Sequence, residues 1–297
     1  MSPYPRSPTD GLRPRPHGGL MESGQEDLTA SHIDMHTPSA TRIYDYLLGG
    51  VENYASDRAA GNHLMRVAPG AELLARNNRA FVGRAVRVLV REFGIRQFLD
   101  HGSGLPTRDN VHEVAQRAHP RCKVAYIDND PMVVAHAQTT LHENAGTSVI
   151  SQDLRNTDEI RTATEDFLDW EQPIASLFTS VLHCLPDTDD VTKSPAAVVR
   201  RAAGQLPRGS FLVISQLASD DPDVRRDVTE LMGAATRGRW GRVRETREVR
   251  GYFDELDVLE PGLGDVADWR PRASRRIPRR RPQVWAEWGG VGRVCSR

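Results

Sequence analysis

Five short apolar runs recur along the middle of the chain: RQFLD (96–100), KVAYID (123–128), SVISQD (148–153), ASLFTSVLH (175–183) and SFLVISQ (210–216). Helical stretches with their own punctuation lie between them. A helix follows the first run and stops near Pro120. Asp130-Pro131 supplies an N-cap and first helical position, and Gly146 closes that helix. Ser194-Pro195 opens another, which runs to Gly204. This alternation dictates a parallel sheet with helices on both faces. Helices near 223–237 and 246–255, a strand DVLEPG and a late strand QVWAEW follow. A last strand with no helix after it suits an antiparallel addition.

Upstream, a helix runs from 71 to 93, with Leu74, Phe81, Ala85, Val88 and Leu89 on one stripe. Residues 39–68 read as short helical pieces broken at Gly49-Gly50, a pair that could hinge a lid. Residues 1–35 are rich in Pro, Gly, Ser and Arg and cannot bury enough apolar surface to offset chain entropy. The expected organisation is a disordered tail (1–35) and one domain (36–297). That domain has a helical lead (36–94) and an α/β core (95–297).

Composition bounds the function. A net charge of −1 gives no global pull toward nucleic acid. No apolar stretch approaches the roughly 20 residues of a membrane helix. Cys122, Cys184 and Cys295 are far apart and form no CxxC pair, which points to a reducing cytoplasm. His32 and His36 share helical spacing but lack the Glu of HExxH, so no metal site is expected. The stretch 270–282 holds seven arginines and no acid. It reads as a solvated loop, and it leaves an anionic contact, nucleic acid included, open.

In open α/β sheets ligands bind at the carboxyl ends of the strands. Four groups stand there. Gly102 and Gly104 follow the first strand and let backbone N–H groups approach a ligand. Asp128 ends the second strand, where a carboxylate can accept from ribose hydroxyls. Asp153 ends the third, near where an adenine would lie. Ser180 to His183 end the fourth. The glycines fall short of the dinucleotide pattern GxGxxG, because Thr107 stands third. Asp128 lies 24 residues beyond Gly104, a spacing that serves a dinucleotide or an adenosyl ligand. Asp153 and the helical lead favour S-adenosylmethionine.

A series of motifs then carries a resemblance: ATRIYDYLLGG, ENYASDR, NNRAFVGRAVR, FLDHGSGLPT, NVHEVAQ, YIDNDPMVVAHA, SVLHCLPD, YFDELDVLEPGL and WGGVGR. In this order, over about residues 33–293, they resemble the S-adenosylmethionine-dependent methyltransferase family once catalogued as a domain of unknown function, with the ARIYDYLLGG signature. The resemblance implies the class I methyltransferase form of the Rossmann-like fold: seven mostly parallel strands, the last antiparallel, with an N-terminal helical extension. It implies S-adenosylmethionine as cofactor and methyl transfer to an acceptor it does not identify, expected to be a small molecule. The chain departs from the family at Val51-Glu52, where Lys-Asp is usual, at His101 and Ser103, and at Arg108-Asp109.

The expected cofactor set is Arg84, Asp100, Gly102, Gly104, Asp128, Asn129, Asp153, Leu154 and Ser180. Arg84 is preferred over Arg79 for the cofactor carboxylate, because NRAFVGR resembles the leucine carboxyl methyltransferases, where an arginine in that position does this work. Asn78 falls inside the apolar stripe and needs a partner. His183 is the candidate catalytic base. Tyr44 and Tyr46, two apart on a helix, cannot both face the cofactor. An NAD(P)-dependent oxidoreductase and a non-catalytic S-adenosylmethionine-binding regulator remain as alternatives.

Overall fold

The computed structural model describes residues 34–106, 109–141, 144–271 and 284–295. His32, Thr107, Arg108 and residues 272–282 of the arginine-rich stretch fall outside them, as does all but the end of the expected tail.

The sheet is built from β1 (Gln97–His101), β2 (Lys123–Asp128), β3 (Thr147–Ser151), β4 (Ile174–Thr179), β5 (Phe211–Ala218), β6 (Leu256–Val258), β7 (Gly264–Asp265) and β8 (Ala286–Val294). Its order is β3-β2-β1-β4-β5-β8-β6, with the two-residue β7 beside β8. Pairs among β1 to β5 are parallel, and β8 runs antiparallel to β5, β6 and β7. This is the expected Rossmann-like arrangement with one short extra strand. The order reverses between β1 and β4, which opens a crevice at their carboxyl ends.

Strand alternation divides the core between two faces. On one, Phe98, Val124, Tyr126, Leu177, Val213 and Val291 meet Phe81, Ala85 and Leu89 of α3 (Ala71–Glu92). On the other, Leu99, Ile127, Phe178, Leu212 and Ile214 meet α6 (Thr157–Thr164) and α7 (Pro195–Gln205). Helices α4 (Val111–Ala118) and α5 (Pro131–Leu141) complete the crossovers of the first half. A third cluster joins α1 (Ala40–Leu48), α2 (Ala55–Val67) and the start of α3 to α8 (Pro222–Ala235): Ile43, Leu47, Leu64 and Leu74 pack with Leu217, Val228, Met232 and Trp285. The helical lead is thereby seated over the carboxyl end of β5. Helix α9 (Thr246–Arg250) leads toward β6.

Several elements differ from the sequence reading: the strand expected at 257–262 is only Leu256–Val258, the helix expected over 246–255 gives way to a 3-10 turn after Arg250, and the late strand begins at Ala286. Helix α6 has no counterpart there, because two of its three buried positions are Thr157 and Thr164 and its apolar stripe is only Ile160. β4 stops at Thr179 rather than running to 183: Ser180 has φ of 57°, and Leu182–Cys184 form a 3-10 turn. β8 continues through the glycines of WGGVGR. Gly289 crosses so close to the Ile214 carbonyl that a Cβ would overlap it, so the side-chain alternation that marks a strand is missing where the backbone is most crowded.

Candidate functional site

The turn after β1 crosses to β2. The N–H groups of Gly102 and Ser103 both donate to the Ile127 carbonyl, at 2.8 and 3.2 Å. Gly102 and Gly104 take φ of 64° and 68°, the left-handed region that side chains resist. A Cβ on Gly102 would run into Val181, whereas one on Gly104 would meet only the Thr41 methyl of α1, at 3.8 Å. The turn is thus packed on its β4 side and free on the side facing α1. The Gly104 N–H donates to Oδ2 of Asp128 at 2.9 Å, and the Asp130 N–H to Oδ1 at 2.9 Å. Burial pushes the Asp128 carboxyl up, and these donors oppose the shift. The Asn129 N–H is a third donor, which leaves the carboxylate one position for a further donor.

Asp153 follows β3. It accepts from the Arg155 N–H at 2.8 Å and from the Arg155 guanidinium at 2.9 and 2.5 Å. Burial pushes its carboxyl up, but the bonds from Arg155 outweigh burial and hold it below its ordinary range, with a further bond from the Asn129 side chain. Asn129 therefore links the ends of β2 and β3. Leu154 is buried in the core on the α6–α7 face.

Asp100 is buried at the end of β1, and burial pushes its pKa up to about 7. Arg79 pulls it down and Asp128 pushes it further up. Arg79 comes from α3 and donates to the Asp109 carbonyl at 3.2 Å. The structure separates it from Arg84, the arginine expected at the cofactor. Arg84 is turned to the opposite flank of the helix, where Nε donates to the Trp269 carbonyl at 2.7 Å and Nη2 to the Val266 carbonyl at 2.5 Å. Five residues along a helix turn the side chain by about 140°, so one of the two can face the site and not both. Arg79 is the one acting on Asp100.

His183 is likewise placed elsewhere than expected. Its ring is buried against Trp240, with centroids 4.8 Å apart, and Nδ1 accepts from the Leu217 N–H at 3.2 Å. Burial, helped by Arg244, lowers its pKa to about 3. It is a packed neutral histidine whose acceptor nitrogen is already used, which does not suit a base.

The fourth strand instead presents Ser180. Its N–H donates to the Ser215 carbonyl at 2.8 Å, and its hydroxyl donates to Oε1 of Glu287 on β8 at 2.6 Å. Ser215 also donates to the Asn78 side chain at 2.6 Å, and Asn78 donates to the Tyr44 hydroxyl at 3.0 Å. Asn78 has its partner, and Tyr44 is the tyrosine that faces inward. Tyr46 points outward to Asn62, at 2.9 Å. Sequence reasoning gave no role to Glu287, whose only trace is an acid inside the apolar run VWAEW.

The signature residues organise the cap. Arg42 bonds Asp57 at 2.8 Å in a buried ion pair. Asp57 also accepts from the N–H groups of Ser39 and Tyr54, at 3.0 and 2.8 Å. Asn53 donates to Asp45 at 2.8 Å. Gly49 closes α1 in the left-handed conformation, with the Gly50 N–H reaching back to the Asp45 carbonyl, so the glycine pair works as a helix terminator. Val51, where the family carries lysine, is exposed. Among the described residues no helix is long and apolar enough to cross a membrane, and no group of His, Cys, Asp or Glu is arranged to hold a metal ion.

The profile of a family described as S-adenosyl methyltransferase matches residues 26–295. A solved structure of a DUF574 family protein from Streptomyces avermitilis is similar at 33% identity, covering 88% of this chain and 99% of that one, with a TM-score of 0.79. A candidate methyltransferase from Thermobifida fusca is similar at 32% identity, covering 91% of this chain and all of that one, again with a TM-score of 0.79. Comparison with curated proteins gave no match. The family displaces the dinucleotide alternative. The chain belongs to the S-adenosyl methyltransferase family and is an S-adenosylmethionine-dependent methyltransferase.

Proposed function

We propose that the cofactor lies across the carboxyl ends of β1, β2 and β3 and that the methyl acceptor is a small molecule. Asp128 accepts from a ribose hydroxyl at the position that the N–H groups of Gly104, Asn129 and Asp130 leave free. The turn Gly102–Gly104 runs along the methionine portion. Asp100 takes its ammonium and Arg79 its carboxylate. Asn129, Asp153 and Leu154 border the adenine, with Ser180 closing the β4 side. The observation that carries this reading is the left-handed turn whose Gly104 N–H is tied to Asp128. The bound cofactor supplies an electrophilic methyl on a sulfonium. The protein's task is to hold the acceptor in line with that methyl and away from water.

The acceptor class is inferred from the cap. α1 packs Ile43 and Leu47 against Leu217 and Trp285, and Tyr44 is anchored to Ala75 and Asn78. A cap packed in this way over the carboxyl end of β5 favours a compact acceptor. The unpaired cysteines Cys122, Cys184 and Cys295 suit the cytoplasm.

Calorimetric titration with S-adenosylhomocysteine, beside NAD and NADP, tests the site. Only S-adenosylhomocysteine is expected to bind. Asp128→Ala should weaken it by about 1.5–3 kcal/mol, the scale of a hydrogen bond to a charged group. Unchanged affinity in a folded variant removes Asp128 from the ribose.

A further inference from the structure

Glu287 is a buried acid that the cofactor reading does not use. It is 1% exposed, and while Oε1 accepts from Ser180, Oε2 has no partner. Leaving a buried polar atom unpaired forfeits its hydration, and in a folded core it calls for a reason. A structural role gives none, since Oε1 alone satisfies the Ser180 hydroxyl.

Its position supplies the reason. Ser180 sits at the carboxyl end of β4 with φ of 57°, and its neighbour Val181 packs directly on Gly102 of the cofactor turn. Cys184, just beyond, feels the charges of both Glu287 and Asp128, so these two acids flank one small region. Tyr44, on the α1 roof, feels Glu287 as well. Glu287 thus stands under the cap, on the β5–β8 side of the glycine turn, where the proposed function puts the acceptor.

We propose that Glu287, oriented by Ser180, is the proton acceptor of the methyl-transfer site and that the acceptor is a neutral hydroxyl or amine. The inference rests on the cofactor placement above. A lone pair on the acceptor oxygen or nitrogen forms the bond to the methyl carbon. The methyl–sulfur bond breaks, its electron pair stays on sulfur, and the O–H or N–H proton passes to Oε2 of Glu287.

The electrostatics fit this role. Burial pushes the Glu287 pKa up to about 8. The Ser180 hydroxyl pulls it down, and Asp265 pushes it up. The other ionisable groups coupled to it are Tyr44 and Cys184, and none of the three is a cation. In the ligand-free protein at neutral pH the carboxyl is therefore mostly protonated. A positive charge arriving beside it favours the carboxylate and expels the proton.

S-adenosylmethionine and S-adenosylhomocysteine differ by that charge, which makes a test without a known acceptor. Proton release on binding each ligand is measured by calorimetry in buffers of different ionisation enthalpy. Any release from Asp100, driven by the ammonium that both ligands share, cancels in the difference. At pH 7.5 S-adenosylmethionine should release about three-quarters of a proton more than S-adenosylhomocysteine. The excess should be largest between the lowered pKa of the complex and about 8, fade above about pH 9, as a group with pKa near 8 ionises by itself, and fade again at acid pH, where the carboxyl stays protonated with either ligand. Glu287→Gln should abolish it. Ser180→Ala, which removes the bond stabilising the carboxylate, should move the window to higher pH and serves where Glu287→Gln fails to fold. Equal release by the two ligands, or an excess that survives Glu287→Gln or does not move in Ser180→Ala, overturns the proposal. If neither ligand binds, the cofactor reading itself falls, and Glu287 with it.

Discussion

The carboxyl ends of β1 to β3 and those of β4 and β5 with the start of β8 carry the same kinds of side chain but satisfy them in opposite ways. In the first half backbone N–H groups and near neighbours serve the acids: Asp128 takes the N–H of Asp130 and, from 24 positions away across the turn, that of Gly104, and Asp153 takes Arg155 two residues on. In the second half the bonds run between side chains distant in sequence. Ser215 reaches Asn78 across 137 positions and Ser180 reaches Glu287 across 107, under an apolar cap. Bonds from a fixed backbone turn hold a carboxylate in place at a strand end. Long-range bonds under a cap make a geometry that depends on the whole fold. The first arrangement suits holding a constant cofactor, the second positioning one particular acceptor.

The sharpest way to break this contrast is through the roof. Asp57 is fully buried and bears Arg42 together with the N–H groups of Ser39 and Tyr54. Asp57→Ala leaves the Arg42 guanidinium buried and uncompensated, a loss of about 3–5 kcal/mol. Hydrogen exchange should then show α1 and α2 opening while β1, β2 and β4 stay protected. Simultaneous loss of protection in the sheet would mean that cap and sheet fold as one unit.

The two arginines of α3 test the cofactor half. Arg79→Ala should weaken S-adenosylhomocysteine by about 1.5–3 kcal/mol and leave stability nearly unchanged. Arg84→Ala should do the reverse, since it removes charge-assisted bonds to the Trp269 and Val266 carbonyls. Titration and chemical denaturation of both variants give the comparison. The same pattern in the two would dissolve the distinction between a binding and a bracing arginine.

These contrasts track what could be read from sequence. The strands β1, β2 and β5, the glycine turn and the acids that follow it were legible because their chemistry is local: an apolar run, a φ that only glycine takes readily, a carboxylate at a strand end. Arg84 read as the cofactor arginine in preference to Arg79, because helical geometry shows that the two diverge but not which flank faces the crevice. Only the packing of Trp269, far along the chain, decides that. His183 read as a base because it follows β4, yet its nitrogen serves the Leu217 N–H, a pairing no local pattern announces. Glu287 was invisible for the same reason, one acid among apolar neighbours with its partner 107 residues away. Asn78 lay between these cases, since a polar residue on a buried stripe implies a partner without naming it.

The smallest expected effect tests whether the roof is aimed or merely present. Tyr44 and Tyr46 sit two apart on α1 and differ in what they touch. The Tyr44 hydroxyl donates to the Ala75 carbonyl and accepts from Asn78, while that of Tyr46 meets Asn62 near the surface. Removing the Tyr44 hydroxyl leaves the buried Asn78 amide one partner short, at a cost of about 1–2 kcal/mol, whereas the exposed bond of Tyr46 is replaced by water at almost none. Tyr44→Phe should therefore lower stability by that amount and loosen the Asn78–Ser215 link beside Glu287, and Tyr46→Phe should be silent. Denaturant midpoints of the two variants read the first effect. Proton release at pH 7.5 reads the second, because a displaced Glu287 couples less strongly to the incoming charge. Equal midpoints would mean that the inward tyrosine fills space without bonding. A full excess of protons in Tyr44→Phe would mean that the roof covers the acceptor side without shaping it.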